Sequence, residues 1–512
     1  MTQPTPSNTK RIAKNTLFLY FRQILIMLVS LYTVRVVLNT LGASDYGIYN
    51  VVAGVVTMFS FLSAAMATAS QRFFSYEIGR DDSERLKKTF SVTLCIYLIL
   101  IGLVVLLAET VGLWFVYNKL VIPEERLTAA KWIYQFSILN FIVTLITTPY
   151  MADIIAHENM SVYAYVSIVE AVLKLAIVFL LKILPYDKLI VYGILLFAVG
   201  FINTALYRFY CKKHYKECVF RPMWDKAMFK EITGFTGWTL FGSLSGVFRN
   251  QAITVLINQF FSPVVVAARA IALQVTNTLS LFSSNFNTGL YAPIIKEYAA
   301  DNKEEMFRLI FNGCKMTFFL MWIFALPLYL RMDYVLTLWL KELPEYVVLF
   351  TRLSIIEVLL VAICYPLSTA ARAPGKMALY EGILGTLQVI IFVGSFIWIK
   401  FFGGEAVVVY YMAIIINVLM FVFRAFLLRG LLGISLRRFT IQVIIPVTII
   451  MVVSTIPSVF IDRLLPQNFI SLCAVTAVAV ILSSVAMFYV GMSNNTRHEI
   501  IQKMKSKLKF NR

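Results

Sequence analysis

The chain has 512 residues, 60% of them hydrophobic and only 14% charged, with a mean hydropathy of +0.79, whereas an average soluble domain is about half apolar and a quarter charged. That balance excludes a soluble protein, and repeated apolar runs of roughly 20 residues exclude a soluble enzyme on a single anchor. The formal net charge of +19, from 46 Lys and Arg against 27 Asp and Glu, would point to nucleic acid in a soluble protein, so the positions of the cations decide what it means.

In chain order, about fourteen spans are predicted, at 16–38, 46–70, 90–113, 132–152, 161–184, 187–210, 232–258, 263–291, 308–330, 347–371, 376–399, 405–428, 441–461 and 467–490. Each must be a helix, because lipid satisfies no backbone group. The stretch MTQPTPSNTKRIAKNTLF leads into span 1 as a polar, basic segment without a short apolar region and a small-residue cleavage site, so span 1 is expected to be retained. The six cysteines are scattered with no C-x-x-C, which points to buried apolar thiols and to neither a disulfide framework nor a zinc site.

Basic residues in the connections set the orientation. With the N-terminus in the cytoplasm, that side holds 30 of the 46 cations, among them Arg85 and Lys88 after span 2 and Lys212, Lys213 and Lys230 after span 6; the opposite side holds 10. Both termini are therefore expected to be cytoplasmic, and most of the net charge is orientation bias. Six cations are left inside spans: Arg22, Arg35, Lys174, Arg249, Arg269 and Lys315.

An internal repeat is visible. PYMADIIAHENMSVY matches PLSTAARAPGKMALY at Pro149/Pro366, Ala156/Ala373, Met160/Met377 and Tyr163/Tyr380, a shift of 217. EIGRDDSERL matches EYAADNKEEM at Glu77/Glu297, Asp81/Asp301 and Glu84/Glu304, a shift of 220. Because six is even, two six-helix halves share one orientation and enclose a central cavity, with spans 13 and 14 outside the repeat. The expected fold class is all-α: a polytopic membrane protein of two pseudo-symmetric six-helix lobes plus two C-terminal helices.

Span 8 places Arg269, Thr276, Ser280, Ser283 and Asn287 on one helical face at spacings of 7, 4, 3 and 4. Such a stripe packs on another helix or lines water, and the Arg favours lining. A shift of 219 sets Asn50 and Thr57 of span 2 opposite Arg269 and Thr276. On span 7, Arg249 interrupts a small-residue face that reads otherwise as close helix packing. Arg22 lies deep in span 1, whereas Arg35 near its outer end and Lys315 in span 9 have the option of snorkelling. Lys174 has Glu170 one turn earlier, an arrangement that fits a structural ion pair, a proton-linked pair or substrate contact. Carboxylates in the spans are few, so a cavity here is cationic and favours anions, with Arg suited to phosphate.

No Walker-type phosphate loop occurs, the three histidines are far apart, and the longest outer connection is 114–131. Metal, cofactor and enzymatic roles are accordingly not expected.

The opening RIAKNTLFLYFRQILIMLVSLYTVRVVLNTLGASDYGIYNVV, AHENMSVYAY after span 4 and SPVVVAARAI at the entry to span 8 resemble the Wzx-type polysaccharide biosynthesis proteins, lipid-linked oligosaccharide flippases of the multidrug/oligosaccharidyl-lipid/polysaccharide exporter superfamily. The resemblance implies alternating access and translocation of an undecaprenyl-diphosphate-linked oligosaccharide to the outer leaflet of the bacterial cytoplasmic (inner) membrane. It also implies cavity arginines on the first and eighth helices, here Arg22 and Arg269, and a lipid-tail groove from the last two helices. Where a cation is expected on the second helix, this chain has Asn50.

The expected organisation is a cytoplasmic N-terminus at 1–15, an N-lobe at 16–210, a linker at 211–231, a C-lobe at 232–428, accessory helices at 429–490 and a basic tail at 491–512. On this reading Arg22, Arg249 and Arg269 hold the diphosphate, with Arg35, Lys174 and Lys315 as further candidates. Asn50, Thr57, Thr276, Ser280, Ser283 and Asn287 contact sugar, and Glu170 with Lys174 is the candidate for ion coupling. The expected partners are the lipid-linked glycan, membrane lipids and other surface polysaccharide assembly proteins, with no nucleic acid. The alternative is a cation-coupled small-molecule or drug exporter of the same superfamily. A membrane-bound glycan polymerase or ligase is disfavoured by the short outer loops.

Overall fold

A computed structural model describes residues 6–57, 59–119, 122–219, 225–261, 263–340, 343–492 and 497. Among these residues the regular structure is helical, without strands. The helices are α1 Pro6–Thr57, α2 Ser60–Gly79, α3 Ser83–Leu107, α4 Leu113–Lys119, α5 Leu127–Ala156, α6 Met160–Ile183, α7 Lys188–His214, α8 Lys226–Phe260 and α9 Pro263–Ala299. They continue with α10 Lys303–Leu330, α11 Met332–Leu340, α12 Val347–Arg372, α13 Met377–Phe402, α14 Val408–Leu432, α15 Leu436–Phe439, α16 Ile445–Leu464 and α17 Phe469–Ala486.

Twelve helical stretches among the described residues are long and apolar enough to cross a membrane, which makes this a multi-pass membrane protein. The part of α1 before Val52, which holds the expected span 1, and α6, which holds the expected span 5, lie outside that count. Short polar side chains begin several helices by accepting from backbone amides that have no partner in the first turn: Asp82 from Arg85 at 2.9 Å, Asp187 from Leu189 at 3.0 Å and Asn468 from Ser471 at 2.8 Å.

The structure departs from the sequence reading at the first connection. A turn is expected between 38 and 46, yet α1 runs unbroken for 52 residues, about 78 Å at the helical rise, and the next turn among the described residues is at Phe59. The segment LNTLGASDYG contains no proline, and the Thr40 hydroxyl donates to the Val36 carbonyl at 2.8 Å, as a helix-interior threonine does. At the equivalent place in the second half, Ser262 precedes Pro263, which disfavours helix before it, and α8 ends at Phe260.

The repeat is present in the backbone. α2 ends at Gly79 and α3 starts at Ser83; α9 ends at Ala299 and α10 starts at Lys303. Between them Asp81 has φ 57° and Asp301 φ 55°, left-handed conformations that aspartate tolerates better than most residues. The other repeat contains Glu158 at φ 60° and, 217 positions on, Gly375 at φ 77°. Two pairs of left-handed positions in register make the two-half architecture a property of the chain and not of its composition.

The residues fall into two compact units, Met1–Ser243 with Ala292–Lys303 and Leu244–Tyr291 with Glu304–Arg512. Within unit 1, Arg126 pairs with Asp187 at 2.6 Å and with both oxygens of Asp45, which ties the middle of α1 to the segments that lead into α5 and α7. The alternate connections are gathered separately, by Lys88 with Asp225 and by Lys296 with Glu158, at 2.6 and 2.8 Å. Unit 2 repeats the division: Arg331 pairs with Asp462 at 2.5 Å and Arg352 with Asp333 at 2.7 Å, whereas Arg438 pairs with Glu304 at 2.9 Å.

Candidate functional site

A cavity of about 580 Å³ opens within unit 1 among α1, α2, α5, α6 and α7, a volume within the range of small-ligand sites, about 300–1,000 Å³. Helical spacing builds it. On α5, Ser137, Asn140, Thr144, Thr147 and Met151 follow at 3, 4, 3 and 4, and on α7, Gly193, Leu196, Gly200, Asn203 and Tyr207 repeat that rhythm. α6 adds Tyr163, Ser167 and Glu170, α2 adds Ser63, and α1 adds Arg22 and Thr57. At Gly200 a β-carbon would fall on the Asn140 amide oxygen, so the glycine makes room for that polar group.

Most of the hydroxyls have their protons committed. Ser137 donates to Ile133 O at 2.7 Å, Thr144 to Asn140 O at 2.9 Å, Thr148 to Thr144 O at 2.8 Å and Ser167 to Tyr163 O at 2.8 Å. Their oxygen lone pairs are left as acceptors, which suits a ligand rich in hydroxyl donors.

Charge is sparse and unevenly satisfied. Glu170 takes Lys174 at 2.7 Å and the Asn203 amide at 3.0 Å, so its charge is met. The Arg22 guanidinium lies 4.5 Å from the centre of the Tyr163 ring, and its buried Nε has no hydrogen-bond partner among the described residues. The Asn203 carbonyl oxygen is likewise buried and unpartnered among them. An anion-binding donor and a free amide oxygen therefore share one space.

Of the predicted residues, Arg22, Thr57 and Glu170 line this cavity, and Lys174 adjoins it through its ion pair. The side chains of Arg35 and Asn50 lie outside the described residues. Unit 2 holds the others. Arg249 pairs with Glu357 at 2.7 Å, and Glu357 also accepts from Asn417 at 3.2 Å. Arg269 is buried, reaching the Thr254 hydroxyl at 3.3 Å and lying 5.8 Å from the Tyr410 ring centre. Thr276 and Ser283 are buried and donate to carbonyls of their own helix, half-buried Ser280 donates to Thr276 O, and the buried Asn287 Oδ1 has no partner among the described residues. Lys315 is half-buried on α10. The sequence reading missed the polar face of α5, whose 3, 4, 3 spacing is the signal used for span 8; it was masked because no charge draws attention to it.

A family model described as "Polysaccharide biosynthesis protein" matches residues 12–299. No curated protein matches the chain. Among solved structures, a mutant of the Vibrio cholerae MATE transporter VcmN superposes with a TM-score of 0.65 at 15% identity, covering 83% of this chain and 98% of that one. An outward-facing multidrug resistance MATE family transporter of the MOP superfamily gives 0.70 at 12% identity, covering 83% and 96%. The MATE transporter ClbM in complex with Rb+ gives 0.68 at 15% identity, covering 84% and 96%. At these identities the likeness is one of fold.

Proposed function

The chain belongs to the polysaccharide biosynthesis protein family, and from that premise we propose that it is a flippase that carries an undecaprenyl-diphosphate-linked oligosaccharide from the inner to the outer leaflet of the bacterial cytoplasmic membrane. It works by alternating access and serves surface polysaccharide assembly, such as O-antigen, capsule or exopolysaccharide. The observation that carries the reading is the unit 1 cavity, with one under-used guanidinium at Arg22 among hydroxyl and amide acceptors. A glycan donates hydroxyl protons to such a wall, and a diphosphate supplies the oxygens that Arg22 lacks. In unit 2, Arg269 is the proposed anion contact, with Ser280 and Asn287 for sugar, while the charge of Arg249 is neutralised by Glu357. Both termini are proposed to be cytoplasmic from the 30-to-10 partition of basic residues.

The competing reading, a cation-coupled exporter of small molecules, needs a carboxylate free to bind the cation. Glu170 is the carboxylate in this cavity, and Lys174 and Asn203 already occupy both its oxygens. The test is complementation of a deletion strain. Arg22→Ala at normal expression is expected to abolish surface glycan and to leave lipid-linked intermediate inside, with Arg22→Lys partly active. Full glycan display by Arg22→Ala, or drug sensitivity without a glycan defect on deletion, overturns the proposal.

A further inference from the structure

Where α5 and α7 end, unit 1 contains a second cluster of polar side chains that the transport reading does not use. Asp153, on the last turn of α5, is fully buried, as are Cys211 on the last turn of α7 and Cys218 just beyond it. One ligand atom from each of the three lies within 4.8 Å of the others. Asp153 also forms a triad of the same tightness with His157 and Glu217. The Cys218 sulfur is 3.2 Å from Asp153 Oδ2, and His157 Nε2 is 2.6 Å from Glu217 and 3.9 Å from Asp153 Oδ1.

Two features mark this cluster as more than packing. Asp153 Oδ1 is buried without a hydrogen-bond partner among the described residues, and an unsatisfied buried carboxylate oxygen is costly. The neighbourhood is also short of positive charge. Asp153, Glu158 and Glu217 are all buried acids, and Lys296 has its ammonium on Glu158 at 2.8 Å. Two thiols and a carboxylate are donors suited to a borderline-soft divalent ion, which takes three protein ligands and leaves a fourth position for water. In a tetrahedral zinc site, bonds of about 2.3 Å to sulfur and 2.0 Å to oxygen place those two atoms about 3.5 Å apart, close to the separation found here.

We propose that Asp153, Cys211 and Cys218 bind a zinc-class divalent metal ion, with the hydrogen-bonded His157–Glu217 pair beside Asp153. Binding releases the thiol protons and ties residues 215–219 to the end of α5, so occupancy rises with pH. The sequence hides such a site because the donors come from three separate segments and the two cysteines are six residues apart by intervening count, not two.

The test uses the full-length chain purified in detergent from cells grown with zinc. Elemental analysis is expected to find about one zinc per chain. Cys218→Ser and Asp153→Asn are each expected to weaken zinc binding at least about tenfold, while Cys314→Ser and Cys364→Ser, at two other buried thiols, keep the metal. Cobalt(II) loading of the unaltered protein gives thiolate-to-cobalt charge-transfer absorption, a readout that does not depend on any variant folding. Wild type free of zinc and without that absorption overturns the proposal. So does full zinc retention by Cys218→Ser, and so does a denatured, unreduced chain with four titratable thiols in place of six, which means a Cys211–Cys218 disulfide.

Discussion

The Arg249–Glu357 pair can be isolated by a double-mutant cycle. Its two side chains are 16% and 14% exposed and 2.7 Å apart, so each charge depends on the other for neutralisation. Arg249 Nε is already without a partner among the described residues, and after loss of Glu357 the guanidinium retains the Asn250 amide oxygen at 3.2 Å. Removing one member of such a pair typically costs about 3–5 kcal/mol, whereas replacing both with apolar residues of similar volume is often close to neutral. Glu357→Met and Arg249→Met should therefore each destabilise the protein by about 3 kcal/mol and the double variant by about 1 kcal/mol or less. The assay is equilibrium unfolding in mixed micelles with increasing denaturing detergent. A double variant as unstable as the sum of the singles refutes the pairing. The same double variant should still display surface glycan, because the proposal gives Arg249 a structural role.

Other outcomes follow from the same contacts. Gly200→Ala drives a β-carbon into the Asn140 amide oxygen, and overpacking of this kind costs about 1–3 kcal/mol; transport should fall more than stability, as read by glycan display against detergent unfolding. Asp187, outside the lipid, is pushed up by burial but held below its ordinary value by the amides of Ile190 and Leu189 and by Arg126. A depressed acid stabilises the fold above its unfolded value, and the gain is lost as pH falls through the folded value. Thermal stability should therefore drop below the ordinary aspartate range in wild type and be flatter there in Asp187→Asn. Arg331→Met should loosen the connection between α16 and α17 from the end of α10, because its guanidinium serves the Asp462, Leu465 and Pro466 carbonyls at 3.0 to 3.1 Å; protease cleavage between 463 and 468 is the readout, and an unchanged rate contradicts the assignment.

Much of the fold was legible because lipid permits few solutions. The repeat was visible in short polar segments, and its register reappears as matched left-handed residues at Asp81 and Asp301. The first connection was not legible: glycine and polar residues predict a turn, but without a proline nothing in LNTLGASDYG stops a helix. Of the candidate site, Arg22 and Glu170 could be found because a charge inside a span is conspicuous. The α5 face escaped notice because its hydroxyls are neutral and bonded to their own helix. Asp153 and Cys218 are 65 residues apart, and no local periodicity connects them.

The most direct test of the transport proposal is leaflet exchange of a lipid-diphosphate-linked oligosaccharide in proteoliposomes, followed by lectin or glycosidase access from outside. The account predicts movement by the wild-type protein, lost by at least about tenfold in Arg22→Ala, the value of a charge-assisted phosphate contact, and unaffected in the Arg249→Met/Glu357→Met double variant. Equal exchange with and without Arg22, or no exchange above protein-free vesicles, contradicts it.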